Sequence, residues 1–217
     1  MRIPSGPRRR PELARAVAQY ALRAAHYDLE LAPFEPVRTE AIALLDPPPG
    51  ATVLDVGCGT GLSFAPLKRR IGPHGRIVGI DPSPDMLAQA RARIARRHWG
   101  GITLLQADAA TAPLHGQADA ALFHFTHDVL RDPAALDHVL AHLKPGAPVV
   151  ASGLQWAPPW MAATNLFVLG AALYSVTDLT GLQQPWDLLA ARLADVQVRT
   201  RGFGGIYIAT GRMPASG

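Results

Sequence analysis

The chain has 217 residues, 48% of them hydrophobic and 18% charged, a balance that excludes a disordered protein and suits one domain with a sizeable core. Its formal charge of +4 rests almost wholly on arginine, with Lys68 and Lys144 the only lysines, and such a bias by itself does not argue for a nucleic-acid partner. A single cysteine, Cys58, excludes a disulfide framework within the chain and fits a reducing compartment; with no apolar leader pattern behind the first arginines, the expectation is a cytoplasmic protein.

Residues 1–10, with Arg8, Arg9 and Arg10, read as a flexible basic head, the one place where peripheral contact with an anionic membrane is suggested. Pro11 then opens a helical pattern with Leu13, Val17, Ala24 and Tyr27 on one face, and a second helix is expected over 37–45. Residues 11–50 are therefore read as N-terminal helices forming a lid or substrate cap, ending in Asp46-Pro47-Pro48-Pro49-Gly50.

From there strands and helices alternate. Strands are expected at 52–56, 76–80, 102–106, 118–123 and 147–152, with helices to about residue 70, from Pro84, and from Asp132 or Pro133. Apolar strands without strict two-residue alternation, separated by helices, imply a parallel sheet covered on both faces. Later residues change rhythm: a helix over 161–175, another over 186–193, and a closing pair of strands at 196–200 and 205–210. The stretch from Trp156 to Thr177 carries no formal charge, but Pro158-Pro159 and several polar residues break it, so it reads as a buried or interfacial helix within a substrate-side insertion, 155–185.

The rest is organised around Val53-Leu54-Asp55-Val56-Gly57-Cys58-Gly59-Thr60-Gly61, a strand running into alternating glycines. Leu62 stands where a dinucleotide fingerprint needs its third glycine, so the turn suits a ligand approached without a pyrophosphate. In an open parallel sheet the ligand lies beyond the carboxyl ends of the strands. Asp81, about twenty residues after the turn, is placed to hold a ribose or to cap the next helix. Asp108-Ala109 ends the third strand and could hold an adenine edge; Met86 is either core or a cover for an adenine face. The fourth strand ends in Phe123-His124-Phe125-Thr126-His127-Asp128, the most chemically loaded cluster in the chain.

With these residues in place, the sequence resembles the class I S-adenosylmethionine-dependent methyltransferases. Val53 to Gly61 is similar to their first motif, Gly79-Ile80-Asp81-Pro82-Ser83 with Met86-Leu87 to their second, Ala107-Asp108-Ala109 to their third, and Leu143-Lys144-Pro145-Gly146 to a further hallmark; the likeness covers residues 50–152. It implies a Rossmann-like, doubly wound α/β fold with a mostly parallel seven-stranded sheet and a reversed last strand, within a cofactor-binding domain of residues 51–217. It implies S-adenosylmethionine as cofactor: Asp55 and Gly57 at the methionine amino group, Gly59 and Gly61 lining the same pocket, Asp81 at the ribose, Met86, Asp108 and Ala109 at the adenine, and His124 near the methionine moiety. More loosely, Tyr27-Asp28 and the tail from Pro185 to Arg212 resemble a bacterial subgroup labelled phosphatidylethanolamine N-methyltransferase-like.

Methyl transfer from a sulfonium is an in-line displacement, so the chemistry asks mainly for alignment and exclusion of water. A hydroxyl acceptor would gain from a base, for which His124 and His127 are the candidates; either can instead be a histidine that only hydrogen-bonds locally. Tyr20, Tyr27, Phe34, Phe125, Trp156 and Trp160 are the candidate acceptor walls, favouring a small hydrophobic or amphiphilic acceptor. No metal site and no nucleic-acid partner are expected. A membrane-associated phospholipid methyltransferase and a non-catalytic cofactor-binding protein are the rival readings, and a dehydrogenase ranks last because of Leu62.

Overall fold

The computed structural model describes residue 28 and residues 31–175 and 179–215. Among these lie seven strands of one sheet: β1 (Thr52–Val56), β2 (Arg76–Asp81), β3 (Ile102–Gln106), β4 (Ala120–His124), β5 (Pro148–Leu154), β6 (Ala194–Arg201) and β7 (Ile206–Arg212). Their order is β3-β2-β1-β4-β5-β7-β6. The first five run parallel, and β7 is inserted antiparallel to both β5 and β6, the reversed last strand expected from the resemblance. Chain order reverses between β1 and β4, which makes the carboxyl ends of those two strands the place to look for a ligand.

The helices among the described residues include α1 (Glu35–Leu45), α2 (Phe64–Ile71), α3 (Pro84–Arg97), α4 (His127–Leu130), α5 (Pro133–Ala141), α6 (Ala162–Ser175) and α7 (Asp187–Ala190). Local chemistry sets several of their starts. Ser83 and Asp132 each accept a backbone amide as N-cap, ahead of Pro84 and Pro133, whose missing N–H costs nothing at a first helical position.

Successive strand residues alternate between two buried layers. Val53 of β1, Ala120 and Leu122 of β4 and Val150 of β5 pack with α1, α2, α3 and α6. Leu54, Val56, Ala121, Phe123, Val149 and Ala151 pack on the other side with α4, α5 and Leu189 of α7. Parity therefore places Asp55, His124 and Ser152 on the layer that α1 covers.

Three expected elements differ. Strand β4 starts at Ala120 because Ala118 makes only a single bridge to Leu143, while the Asp119 carboxylate accepts from the Thr52 amide and pairs with Lys144. The helix expected over 186–193 is one turn, since pairing of Ala194 with Arg212 in the sheet requires extended backbone four residues after the turn ends at Ala190. The rim after β4, for which no element is expected, contains the short helix α4. The expected helix over 11–27, the basic head, and the candidates Tyr20 and Tyr27 lie outside the described residues.

Candidate functional site

The glycine turn is fastened to β2 by its own backbone: the amides of Gly57 and Cys58 both donate to the Ile80 carbonyl, at 2.8 and 3.0 Å. Gly57 and Gly61 have φ of 68° and 77°. A Cβ on Gly57 would lie 2.3 Å from Thr126 Cγ2, and one on Gly61 2.3 Å from Phe64 Cε2, so both conformation and space require glycine.

Asp81 joins that turn to α3. One carboxylate oxygen accepts from the Gly59 amide at 2.8 Å and the other from the Ser83 amide at 2.9 Å. The cap of α3 is Ser83, whose hydroxyl accepts from the Met86 amide, so the capping alternative for Asp81 falls away. Burial raises the Asp81 pKa, and the two amides oppose that rise. Thr60, inside the turn, donates to Asp28 at 2.6 Å, while Arg93 of α3 donates to the Thr60 carbonyl at 2.9 Å and pairs with Asp28. Asp28 is thus tied to the glycine turn through both.

On the α1 side of the turn, Arg38, Asp55 and His124 line one small pocket of about 20 Å³, with Leu31, Gly57 and Gly59. Arg38 is 1% exposed and pairs with Glu35. Each of the three carries a buried polar atom without a partner among the described residues: Arg38 Nε, Asp55 Oδ2 and His124 Nε2. Burial lifts the Asp55 carboxyl to about 7; the Arg38 guanidinium opposes that and the Asp81 carboxylate adds to it. Burial, and then the neighbouring Arg38 charge, hold His124 well below its ordinary value, so the imidazole is neutral at pH 7.

On the other side of Gly57 a cleft of about 350 Å³ is lined by Ile80, Asp108, Ala109, Thr111, Val129 and Ala134, among others. Asp108 turns on itself, accepting from the Ala110 amide at 2.8 Å, and Ala109 is buried. Met86 is 2% exposed and is not among the residues lining either pocket.

At the end of β4 the chain bends sharply. The β4–β5 register sets His124 opposite Ser152, and His124 Nδ1 lies 2.6 Å from the Ser152 hydroxyl. The next residue, Phe125, is held at φ 57°, a region costly for a side chain with a Cβ, while its amide donates to the Ser152 carbonyl at 2.7 Å. Its ring meets Phe34 at 4.9 Å between centroids, and Phe34 meets Phe167 of α6 at 6.4 Å. His127 takes a different partner, its Nε2 lying 3.2 Å from the Thr180 carbonyl. Trp156 is half-buried and packs on the core, its amide bonded to the Leu182 carbonyl, but Trp160 is 80% exposed on the outer surface and walls no pocket described above.

Comparison with known proteins bears on this arrangement. Residues 53–146 match the family described as "Methyltransferase domain". The chain is 40% identical over 77 residues to nocamycin O-methyltransferase of Saccharothrix syringae, covering 36% of this chain and 28% of that protein. It is 36% identical over 129 residues to 2-phytyl-1,4-naphtoquinone methyltransferase of Thermosynechococcus vestitus, covering 58% of this chain and 56% of that protein. The chain thus spans less than two thirds of the length of these curated relatives. Among solved structures, N-methyltransferase NodS from Bradyrhizobium japonicum WM9 in complex with S-adenosyl-L-homocysteine superposes with a TM-score of 0.66 at 17% identity, covering 92% of this chain and 98% of that one, a likeness of fold. The fold is the Rossmann-like one of these methyltransferases, and NodS holds S-adenosyl-L-homocysteine on it.

The residues fit that group. An aminobutanoate arm would bring an ammonium and a carboxylate to a pocket whose orphan atoms are an acid, a guanidinium and an imidazole, beside a glycine where a Cβ would clash. Two contributors escaped the sequence reading. Arg38 lies on a helix read as part of a cap, with no glycine or strand-end signal to mark it. Ser152 lies mid-strand and becomes notable only once register sets it against His124.

Proposed function

We propose that the chain methylates a small hydrophobic or amphiphilic acceptor by in-line transfer from S-adenosylmethionine. The single observation that carries the reading is the set of buried unpartnered atoms on Asp55, Arg38 and His124 around one pocket at the switch point of the sheet. When bound, the cofactor supplies an electrophilic methyl group on a sulfonium.

The protein's own part is to bind, orient and dry. Asp55 takes the ammonium and Arg38 the carboxylate, with Gly57, Gly59 and Gly61 keeping the backbone close. Asp81 accepts from the ribose hydroxyls through the lone pairs its two amide contacts leave free. Asp108 and the Ala109 amide meet the adenine edge, with Met86 the candidate cover for the ring's face. A 20 Å³ pocket has room for about one water, so Leu31 and Arg38 must yield for the arm to enter.

The acceptor is read from the aromatic run Phe34, Phe125 and Phe167 above His124. The names of two relatives, a nocamycin and a phytyl-naphthoquinone methyltransferase, agree with an apolar acceptor of modest size. His124 is unprotonated at neutral pH and can accept a proton from a hydroxyl acceptor, although its lowered pKa makes it a weak base and favours a positioning role; His127 is the second candidate. Residues 11–50 and 155–185 would enclose the acceptor from two sides. A phospholipid acceptor of the phosphatidylethanolamine kind is the finer form of this reading, favoured by the same aromatic run.

The test is turnover of methyl-labelled S-adenosylmethionine across a panel of quinols, polyketide phenols and lipid amines. Label transfer that His124→Gln slows supports the reading. Tight cofactor binding with no transfer to any acceptor would identify a non-catalytic binding protein instead.

A further inference from the structure

Helix α6 is apolar on both sides. Val168 and Ala172 face the core, while Ala162, Ala163, Leu166, Phe167, Gly170 and Leu173, at helical spacing, are exposed on the other. No residue from Trp156 to Ser175 carries a formal charge. A helix apolar all round is normally covered all round.

Beside it, the turn between β6 and β7 packs against the start of α6: a Cβ on Gly204 would meet Pro158, and one on Gly205 would meet Thr164 and Val168. That turn presents Phe203, 82% exposed and held at φ 53°. A strained phenylalanine in water gains nothing from the core, so its place asks for a partner outside the chain. Trp160, 80% exposed, and Leu166, 72% exposed, extend the same surface.

We propose that this face, built from Trp160, Leu166, Phe167, Leu173 and Phe203, docks on a lipid bilayer that carries anionic headgroups. Two observations choose a bilayer over a second copy of the chain. The strand leading to Phe203 brings Arg199 and Arg201; Arg201 is paired with Glu40, while Arg199 is exposed without an ion pair among the described residues. An apolar face bordered by arginine suits lipid that is apolar within and anionic at its surface. The patch is also continuous with the site, through Phe167, Phe34, Phe125 and His124 at successive centroid distances of 6.4, 4.9 and 4.8 Å. A bilayer seated here would both cover the face and deliver an amphiphile along the aromatic run, an inference that rests on the amphiphilic-acceptor reading. Among the described residues no helix is long and apolar enough to cross a membrane, so contact is peripheral.

The test is co-sedimentation of the full chain with phosphatidylcholine vesicles, with and without phosphatidylglycerol, for the wild type, Trp160→Glu/Phe203→Glu, Val198→Glu, and a variant with Arg8, Arg9 and Arg10 replaced by Gln. Binding to the mixed vesicles that exceeds binding to neutral ones, that survives in Val198→Glu, and that falls about tenfold or more in the double variant is expected, tenfold being less than one aromatic's burial. Should the glutamates lower the melting temperature, Trp160→Ala/Phe203→Ala carries the same expectation. The proposal is overturned if the wild type binds neither vesicle, if the double variant binds unchanged, if only the head variant loses binding, or if the double variant instead dissociates a dimer. S-adenosylhomocysteine titrated into the same proteins separates the two readings: vesicle binding without cofactor binding would leave the docking face standing and remove the methyltransferase.

Discussion

Two halves of the carboxyl rim are built differently. Above β2 and β3, Asp81 accepts two backbone amides and Asp108 one, all from residues in the same or the adjoining turn, so the carboxylates are fixed by main chain. Above β4 and β5, side chains fix one another: His124 on Ser152, Phe125 on Phe34, and Phe34 on Phe167 of α6. A main-chain framework holds one shape whatever the acceptor is, which suits an invariant cofactor. A side-chain framework can be rebuilt by substitution, which suits an acceptor that differs between relatives.

Breaking the main-chain half should have the largest effect. Asp81→Ala strands the amides of Gly59 and Ser83 and removes the proposed ribose acceptor together, so cofactor affinity should fall by about a hundredfold or more by titration calorimetry, with about 2 kcal/mol lost from stability. An unchanged affinity would place the cofactor elsewhere.

Next comes Gly57→Ala, expected to cost about 2–3 kcal/mol in chemical denaturation, from positive φ and from the overlap with Thr126 Cγ2. Adding Thr126→Ser removes the overlapping methyl but not the backbone cost. Recovery of about half is expected; full recovery would show that φ is immaterial here.

Arg38 sits where the two halves meet. Arg38→Met should weaken cofactor binding about tenfold, as loss of one charged hydrogen bond does. It should also raise the pKa values of both Asp55 and His124, because the guanidinium lowers each. A histidine proton titration followed by NMR checks the second effect.

The smallest effect on binding belongs to Ser152→Ala, which leaves cofactor affinity within about twofold while slowing turnover several-fold by releasing His124 Nδ1. Its distinguishing mark is the pH profile of turnover, which should move with the variant if the hydroxyl sets the imidazole's tautomer and should keep its shape if Ser152 is only packing.

The same contrast explains what could be read in advance. Strands β1 and β3, the glycine turn and Asp81 were legible because each is specified by neighbours in sequence: a β-branched run, a glycine spacing, an acid just after a strand. The sheet's reversed strand came from family likeness. Arg38 was not legible, since an arginine on an amphipathic helix usually faces water and only packing of α1 over β4 and β5 buries it. Trp160, expected at the acceptor wall from its place beyond β4 and β5, is 80% exposed. Ser152 needed register, which single-strand patterns do not contain.

The central claim is that Asp55, with Arg38 beside it, receives the amino-acid end of S-adenosylmethionine. Asp55 is raised to about 7 in the free protein, well above its unfolded value, so the native state holds an extra proton and its stability falls as pH rises from about 4 to about 7. An incoming ammonium reverses this by favouring the carboxylate. Titration calorimetry near pH 7, in two buffers of different ionisation enthalpy, should therefore show one cofactor bound with release of about half a proton, a release absent in Asp55→Asn. Binding without proton release, or no binding at all, would contradict the account.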